Sequence, residues 1–266
     1  MATLDFLVRE SDAEYREKAK KFLTSHRLAD FRKCPLLYWH KVQGLVPDED
    51  RPAYLLGRAA HVLILEGRER FDAEYVVGDG PVDARTGKPY GVSTQAYADW
   101  ATAQGKPIIT TEQFSLIANL ATGVRAHAIA AELLSDGVPE GVVRTEYCGR
   151  SCQARLDFFN PERGVIDLKT CDDLTWFEAD ARRFGYAHQF AFYHALVARG
   201  TGEDAAVHVI AVEKKPPYRC GVWRMSEQTL AVARRENEAA IARLGECESR
   251  NLWPTGYEEV RAFDYV

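Results

Sequence analysis

Apolar positions along the chain follow two rhythms, with the change at about residue 140. Before it the spacing is helical: Leu28, Phe31, Leu36, Leu37 and Trp39 form a stripe at intervals that suit a helix, with Pro35 placing a break or a helix start inside it. Residues 54–65 read as a buried helix carrying Gly57 and His61, and the Gly/Pro-rich, charged stretch 78–92 as a loop. Two further helices are predicted over 93–105 and 111–134, opened by Ser93 and by Thr111 with Glu112 in the first turn. From Gly141 three short strands follow, VVRTEYCG, CQARLDFF and GVIDLKT. Turn signals at Gly149-Arg150 and at 160–164 separate them, which predicts an antiparallel meander. Helices over 174–184 and 187–199, strands over 206–212 and 220–225, and a last helix over 226–245 complete the pattern. The expectation is an α/β fold in which helices flank a mixed central sheet containing the meander. It forms a single domain, 1–266: a mainly helical part to 140, a sheet with its helices over 141–225, and a terminal helix and tail.

Composition narrows the class. With 266 residues, 46% of them hydrophobic and 11% aromatic, the chain can bury a full core. It has neither a membrane-length apolar run nor a secretory leader, so a soluble cytoplasmic protein is expected. The six cysteines, Cys34, Cys148, Cys152, Cys171, Cys220 and Cys247, form no CxxC pair and predict neither a zinc site nor a disulfide framework. A net charge of -5 argues against wholesale coating of nucleic acid. Within it, residues 16–41 concentrate eight Lys/Arg, which reads either as a DNA-facing patch or as a solvated helix face.

Candidate chemistry centres on Asp167-Leu168-Lys169. Strand alternation puts Asp167 and Lys169 on one face, and the turn at 160–164 brings Asp157 beside Asp167. Two carboxylates with a lysine make a hard-oxygen pocket for Mg²⁺ or Mn²⁺, with a cation that can orient or help deprotonate a water. A D-x-K triplet arises by chance about once in a chain of this length. Glu213-Lys214-Lys215 is an E-x-K decoy at the end of another strand, and without a partner hairpin Glu213 reads as a strand-end charge. The first triplet has better company. Gln189 and Tyr193, four apart on the next helix, share one face, and His61 stands one helical turn after Gly57, where a small residue lets another chain approach. A histidine in an apolar helix is otherwise an ordinary core residue.

The ordered motifs Gly57 to His61, Arg155 to Asp157, Asp167 to Thr170 and Gln189 to Tyr193 resemble the nuclease domain of the RecE-type exodeoxyribonuclease VIII family, within the PD-(D/E)xK superfamily. The opening run Ser25, Leu28, Phe31, Arg32, Cys34-Pro35 and Tyr38 and the ending NLWPTGYEEV are similar to that family's termini. The resemblance implies that His61, Asp157, Asp167 and the Leu168 carbonyl bind metal. It also implies that Lys169 is catalytic, together with Asp157 and Asp167, and that Gln189 and Tyr193 support the site or touch the scissile phosphate. Ser25, Arg32, Arg155 and Thr170 are expected on DNA, and Glu146 as a supporting carboxylate behind the site. The implied activity is metal-dependent exonucleolytic hydrolysis of double-stranded DNA from its ends, 5′-to-3′, in recombination or repair of phage or bacterial type. The implied partners are DNA ends and a single-strand annealing protein, and the implied assembly is a homo-oligomeric ring. Some relatives carry an iron–sulfur cluster on an N-terminal cysteine and a C-terminal triplet; the spacing of Cys34, Cys220 and Cys247 predicts none here. An endonuclease or repair nuclease on the same core, or an inactive DNA-binding assembly protein, are the alternatives.

Overall fold

The computed structural model describes residues 6–47 and 52–262, with the side chains of residues 52 and 53 excepted. In chain order the elements are β1 (Leu7–Val8), α1 (Asp12–Ala19), α2 (Ser25–Lys33), α3 (Pro35–Val42), α4 (Pro52–His61) and a π-helical turn (Val62–Glu66). Next come α5 (Arg68–Glu74), β2 (Val76–Val77), α6 (Gln95–Gln104), β3 (Ile108–Ile109), α7 (Thr111–Ala126) and α8 (Ala128–Leu133). The second half of the chain holds β4 (Val138–Tyr147), β5 (Arg150–Asn160), β6 (Gly164–Cys171), a 3₁₀ turn (Leu174–Trp176), α9 (Phe177–Arg183) and α10 (Tyr186–Thr201). It closes with β7 (Val207–Glu213), β8 (Cys220–Arg224) and α11 (Glu227–Arg250).

Six strands form one mixed sheet in the order β1-β4-β5-β6-β7-β8, antiparallel except between β6 and β7. The meander is therefore present as expected, and both faces of the sheet are covered, as a sheet carrying parallel strands requires. One face packs Val165, Val209 and Ala211 against the Phe190–Val197 stretch of α10, Ile241 of α11 and Phe31 of α2. The other packs Ile166, Leu168 and Ile210 against Ala59 and Ala60 of α4, Leu63, and Ile117, Leu120 and Val124 of α7. No helix among the described residues is long and apolar enough to cross a membrane.

Two hairpins set the register of the site. Cys148 and Gly149 both take positive φ, 51° and 72°, the two-residue turn whose twist suits antiparallel strands. The turn thus lies one residue before the expected Gly149-Arg150. At the second hairpin Gly164 takes φ 86°, and a Cβ there would stand 2.1 Å from the Ala206 carbonyl oxygen, so only glycine fits.

Several boundaries differ from the sequence expectation for local reasons. The caps are Thr94 and Thr110, one residue from Ser93 and Thr111. Gln113, rather than Glu112, completes a capping box with Thr110. The helix expected over 111–134 breaks at His127, which turns extended and caps α8 with its ring nitrogen on the Ala130 N–H. The last helix runs through Gly245 to Arg250, because the stop is Asn251 in the left-handed region at φ 49°. Trp253 in the tail packs against Tyr38 and Trp39 of α3, and Pro254 accepts the Leu36 N–H. The two terminal motifs are one packed unit.

Candidate active site

The β5–β6 ladder is short. Only Asn160↔Gly164, Phe159↔Val165 and Phe158↔Ile166 pair; beyond them β5 stays on β4 and β6 stays on β7. The sheet opens at this point, and the next residues, Asp157 and Asp167, face the split. Backbone groups exposed there need other partners. The Leu168 N–H donates to Asp157 Oδ2 at 2.8 Å. The Leu168 carbonyl takes a hydrogen bond from the His61 ring. His61 ends α4 on the opposite layer, and its Nδ1 lies 3.5 Å from Asp157 Oδ2. Burial depresses the imidazole's basicity more than Asp157 raises it, so the ring is neutral and has a lone pair to offer.

A third acid reaches the same place. Ligand atoms of His61, Glu140 and Asp157 all lie within 4.8 Å of one another, three donors disposed as a metal site requires. Glu140 holds a left-handed backbone conformation at φ 53°, where β4 bends opposite Asp157. Burial, reinforced by the charge of Asp157, pushes its carboxyl up to about 8. This carboxylate was not anticipated. Glu146, which was, is exposed and pairs with Ser151 near the far end of the hairpin, so it plays no part in the site. The signal lay in the hairpin itself. Counting pairs back from Tyr147↔Arg150 through Gly141↔Leu156 sets residue 140 opposite 157.

Asp167 is 1% exposed, and its Oδ2 lies 2.5 Å from Lys169 Nζ, yet among the described residues neither oxygen has a hydrogen-bond donor in good geometry. Burial and the neighbouring Asp157 push its carboxyl up to about 7 against the opposing pull of Lys169. Burial alone would weaken Lys169 as a cation, but Asp167 and Asp157 outweigh it and hold the ammonium above its ordinary range. The ammonium also lies 5.0 Å from the Tyr186 ring and 5.8 Å from Phe190. Gln189 and Tyr193 meet as their spacing predicts: Gln189 Nε2 donates to the Tyr193 hydroxyl at 2.8 Å. That phenol is 6% exposed and feels the charges of Asp167 and Asp157.

The residues expected on DNA are placed differently. Arg155 bridges Glu140, at 2.9 Å, and Asp12 of α1, at 3.0 Å, with Tyr15 beneath its guanidinium. It positions Glu140 instead of standing open to a phosphate, and nothing local in the sequence links it to α1. Ser25 is buried inside the first turn of α2. Arg32 is half-buried and donates to Asn237 Oδ1 at 2.5 Å. Thr170 alternates to the face opposite Lys169. Of the eight basic residues in the run 16–41, four are held in ion pairs, Arg16 with Asp12, Lys18 with Glu10, Lys20 with Glu17 and Lys41 with Asp30, as on a solvated helix face. Gly57 faces open space: a Cβ there would meet nothing within 4 Å.

The residues fit a divalent cation. One neutral imidazole, two acidic side chains and a backbone carbonyl converge, and beside them lies a buried carboxylate lacking donors of its own.

Residues 25–265 match the model of a family described as a PDDEXK-like domain of unknown function (DUF3799). The fold is similar to the crystal structure of a protein from Eubacterium rectale named as a candidate exonuclease, with a TM-score of 0.70 and 17% sequence identity over 97% of each chain. A comparison with proteins of curated function finds no match.

Proposed function

The chain belongs to the PDDEXK-like family whose model spans it from residue 25 to 265, and from that premise we propose that it is a metal-dependent nuclease that degrades double-stranded DNA from its ends. The observation that carries this reading is the buried, donor-poor carboxylate of Asp167 set between an ammonium and the His61–Glu140–Asp157 cluster. Such an arrangement destabilises the folded chain unless a cation completes it.

A divalent ion held by His61, Asp157, Asp167 and the Leu168 carbonyl, with Glu140 added, would supply Lewis-acid activation of a water and of a phosphodiester. Mg²⁺ or Mn²⁺ suits the oxygen-rich set. The protein's own groups do the rest. Lys169, a cation at neutral pH, hydrogen-bonds the attacking water or a phosphate oxygen and offsets charge that builds during displacement. Tyr193 and Gln189 hold the wall of the pocket behind it, and Arg155 keeps Glu140 aimed at the cluster. His61 stays neutral, and so remains a ligand and not a competing cation.

Action at ends, 5′-to-3′ polarity, a ring-shaped homo-oligomer and cooperation with a single-strand annealing protein come from the resemblance to RecE-type enzymes, and the name of the structural neighbour agrees with an exonuclease. Positive charge gathered on the inner face of a ring would reconcile DNA binding with a net charge of -5. Digestion of end-labelled linear duplex and of covalently closed circles, each with Mg²⁺ and with EDTA, tests the proposal. The expected result is release of nucleotides from linear DNA only, and only with metal. Cleavage that persists under rigorous chelation overturns the metal dependence, and rapid opening of circles makes the enzyme an endonuclease on the same core.

A further inference from the structure

Between α9 and α10 the chain runs Arg182-Arg183-Phe184-Gly185-Tyr186, and the site described above uses only Tyr186, as a neighbour of Lys169. Phe184 is 58% exposed. A lone exposed phenylalanine calls for no explanation. This one is not alone. Its ring stacks on Tyr186 with centroids 5.9 Å apart and planes inclined by 28°. The Arg183 guanidinium lies 4.6 Å from the Phe184 centroid; the side chain is 69% exposed and also meets Asp180 at 3.0 Å. Gly185, at φ 71°, reverses the chain so that two aromatic residues separated by one position come to stack. Behind the turn, Arg32 Nη2 would stand 3.4 Å from a Cβ on Gly185, which places a second guanidinium there.

A row of groups thus leads from solvent to the site: guanidinium, ring, ring, ammonium. Every nucleobase has a π face that can take the place of the exposed Arg183 guanidinium over the Phe184 ring whatever its sequence, and the displaced arginine adds a phosphate contact. A base inside a duplex has both faces covered by its neighbours, so the shelf is open to unpaired bases and, at an end, to the one free face of a terminal pair. We infer that Arg183, Phe184 and Tyr186 form a stacking shelf that holds unpaired nucleobases of the strand being cut beside Lys169. The inference rests on the nuclease reading above and adds what that reading lacks, a site for single-stranded nucleic acid.

The test uses the full chain with Ca²⁺ in place of Mg²⁺, and follows binding of a short oligothymidine strand by fluorescence anisotropy and quenching of a 2-aminopurine placed within it. Phe184→Ala should bind the strand about tenfold more weakly and lose the quench, as removal of one stacking ring does. Phe184→Trp should keep both, and Phe184→Leu should behave as the alanine variant, because the ring face and not apolar bulk is what matters. Affinity for covalently closed duplex, which has no free base face, should change little in any of them. Wild-type affinity for the single strand in Phe184→Ala, or full rescue by leucine, overturns the shelf. Mg²⁺-dependent cleavage by the wild type is measured in parallel. If cleavage is normal and the Phe184→Ala affinity unchanged, the shelf alone falls; if the wild type neither cleaves nor binds DNA, the nuclease reading falls with it.

Discussion

Two neighbouring parallel strands each carry an acid, a spacer and a lysine: Asp167-Leu168-Lys169 within β6, and Glu213-Lys214-Lys215 from the last residue of β7. Both acids are 1% exposed. Their surroundings are opposite. Glu213 accepts Arg219 Nε at 2.8 Å and Nη2 at 2.5 Å, and the Leu174 N–H at 2.9 Å. The hydrogen bond from Arg219 holds its carboxyl below the usual carboxylate range. Its lysine turns away, with Lys215 Nζ 3.4 Å from Asp173. Among the described residues Asp167 has only Lys169 within reach, in poor hydrogen-bonding geometry, and two further acids and an imidazole gather around the split beside it. A buried carboxylate with a full set of donors ties elements together; one without them carries an unmet electrostatic need, which marks a candidate functional site. Burial is equal in the two triplets, and the donors tell them apart.

The sharpest way to break the comparison is to remove each member. Asp167→Ala should abolish both divalent-ion binding, read by calorimetry, and cleavage. Lys169→Ala should leave ion binding intact or tighter while kcat drops by roughly 10²-fold or more. Single-turnover cleavage measured alongside the titrations separates the two failures. Next in size is Glu140→Gln, which should weaken divalent-ion affinity about tenfold or more, whereas Glu146→Gln should not change it. Equal effects from the two would remove Glu140 from the site.

The pH dependence of the metal-free chain sharpens the contrast. Asp167 and Glu140 have folded-state values raised to about 7 and about 8. The stability they contribute is fully present below their unfolded values, about 3.8 and 4.5, and is lost as pH rises through the folded ones. In calorimetry, Tm in EDTA should therefore be lower at pH 9 than at pH 6, and Mg²⁺ should stabilise most at the higher pH. A metal-free Tm that rises over that range contradicts the assignment. Glu213→Ala should instead cost about 1–3 kcal/mol in urea unfolding by orphaning the Leu174 N–H, with no change in ion affinity. The smallest effect belongs to Lys215→Ala, within about 0.5 kcal/mol in stability and at wild-type cleavage. If that change kills activity while Lys169→Ala does not, the two strands have been assigned the wrong way round.

Much of this protein is written locally. Period-two alternation over 141–171 dictates a meander, and the turn at 160–164 sets Asp157 beside the Asp167–Lys169 face. The spacing of Gln189 and Tyr193 puts an amide and a phenol in contact, as their 2.8 Å hydrogen bond bears out. These features rest on the pleat, the helical turn and short hairpins, which a few adjacent residues specify. The rest depends on packing between distant elements. That β5 and β6 part after Phe158↔Ile166 follows from β5 staying on β4 while β6 stays on β7, and no short window of sequence contains all four strands, because α9 and α10 separate β6 from β7. Only that split releases the Leu168 peptide to Asp157 and His61, and only the packing of α4 on the far layer brings His61 to it. The capture of Arg155 by Asp12 of α1 is likewise a product of assembly, because the two charges lie 143 residues apart along the chain and meet only when the sheet and its covering helices close.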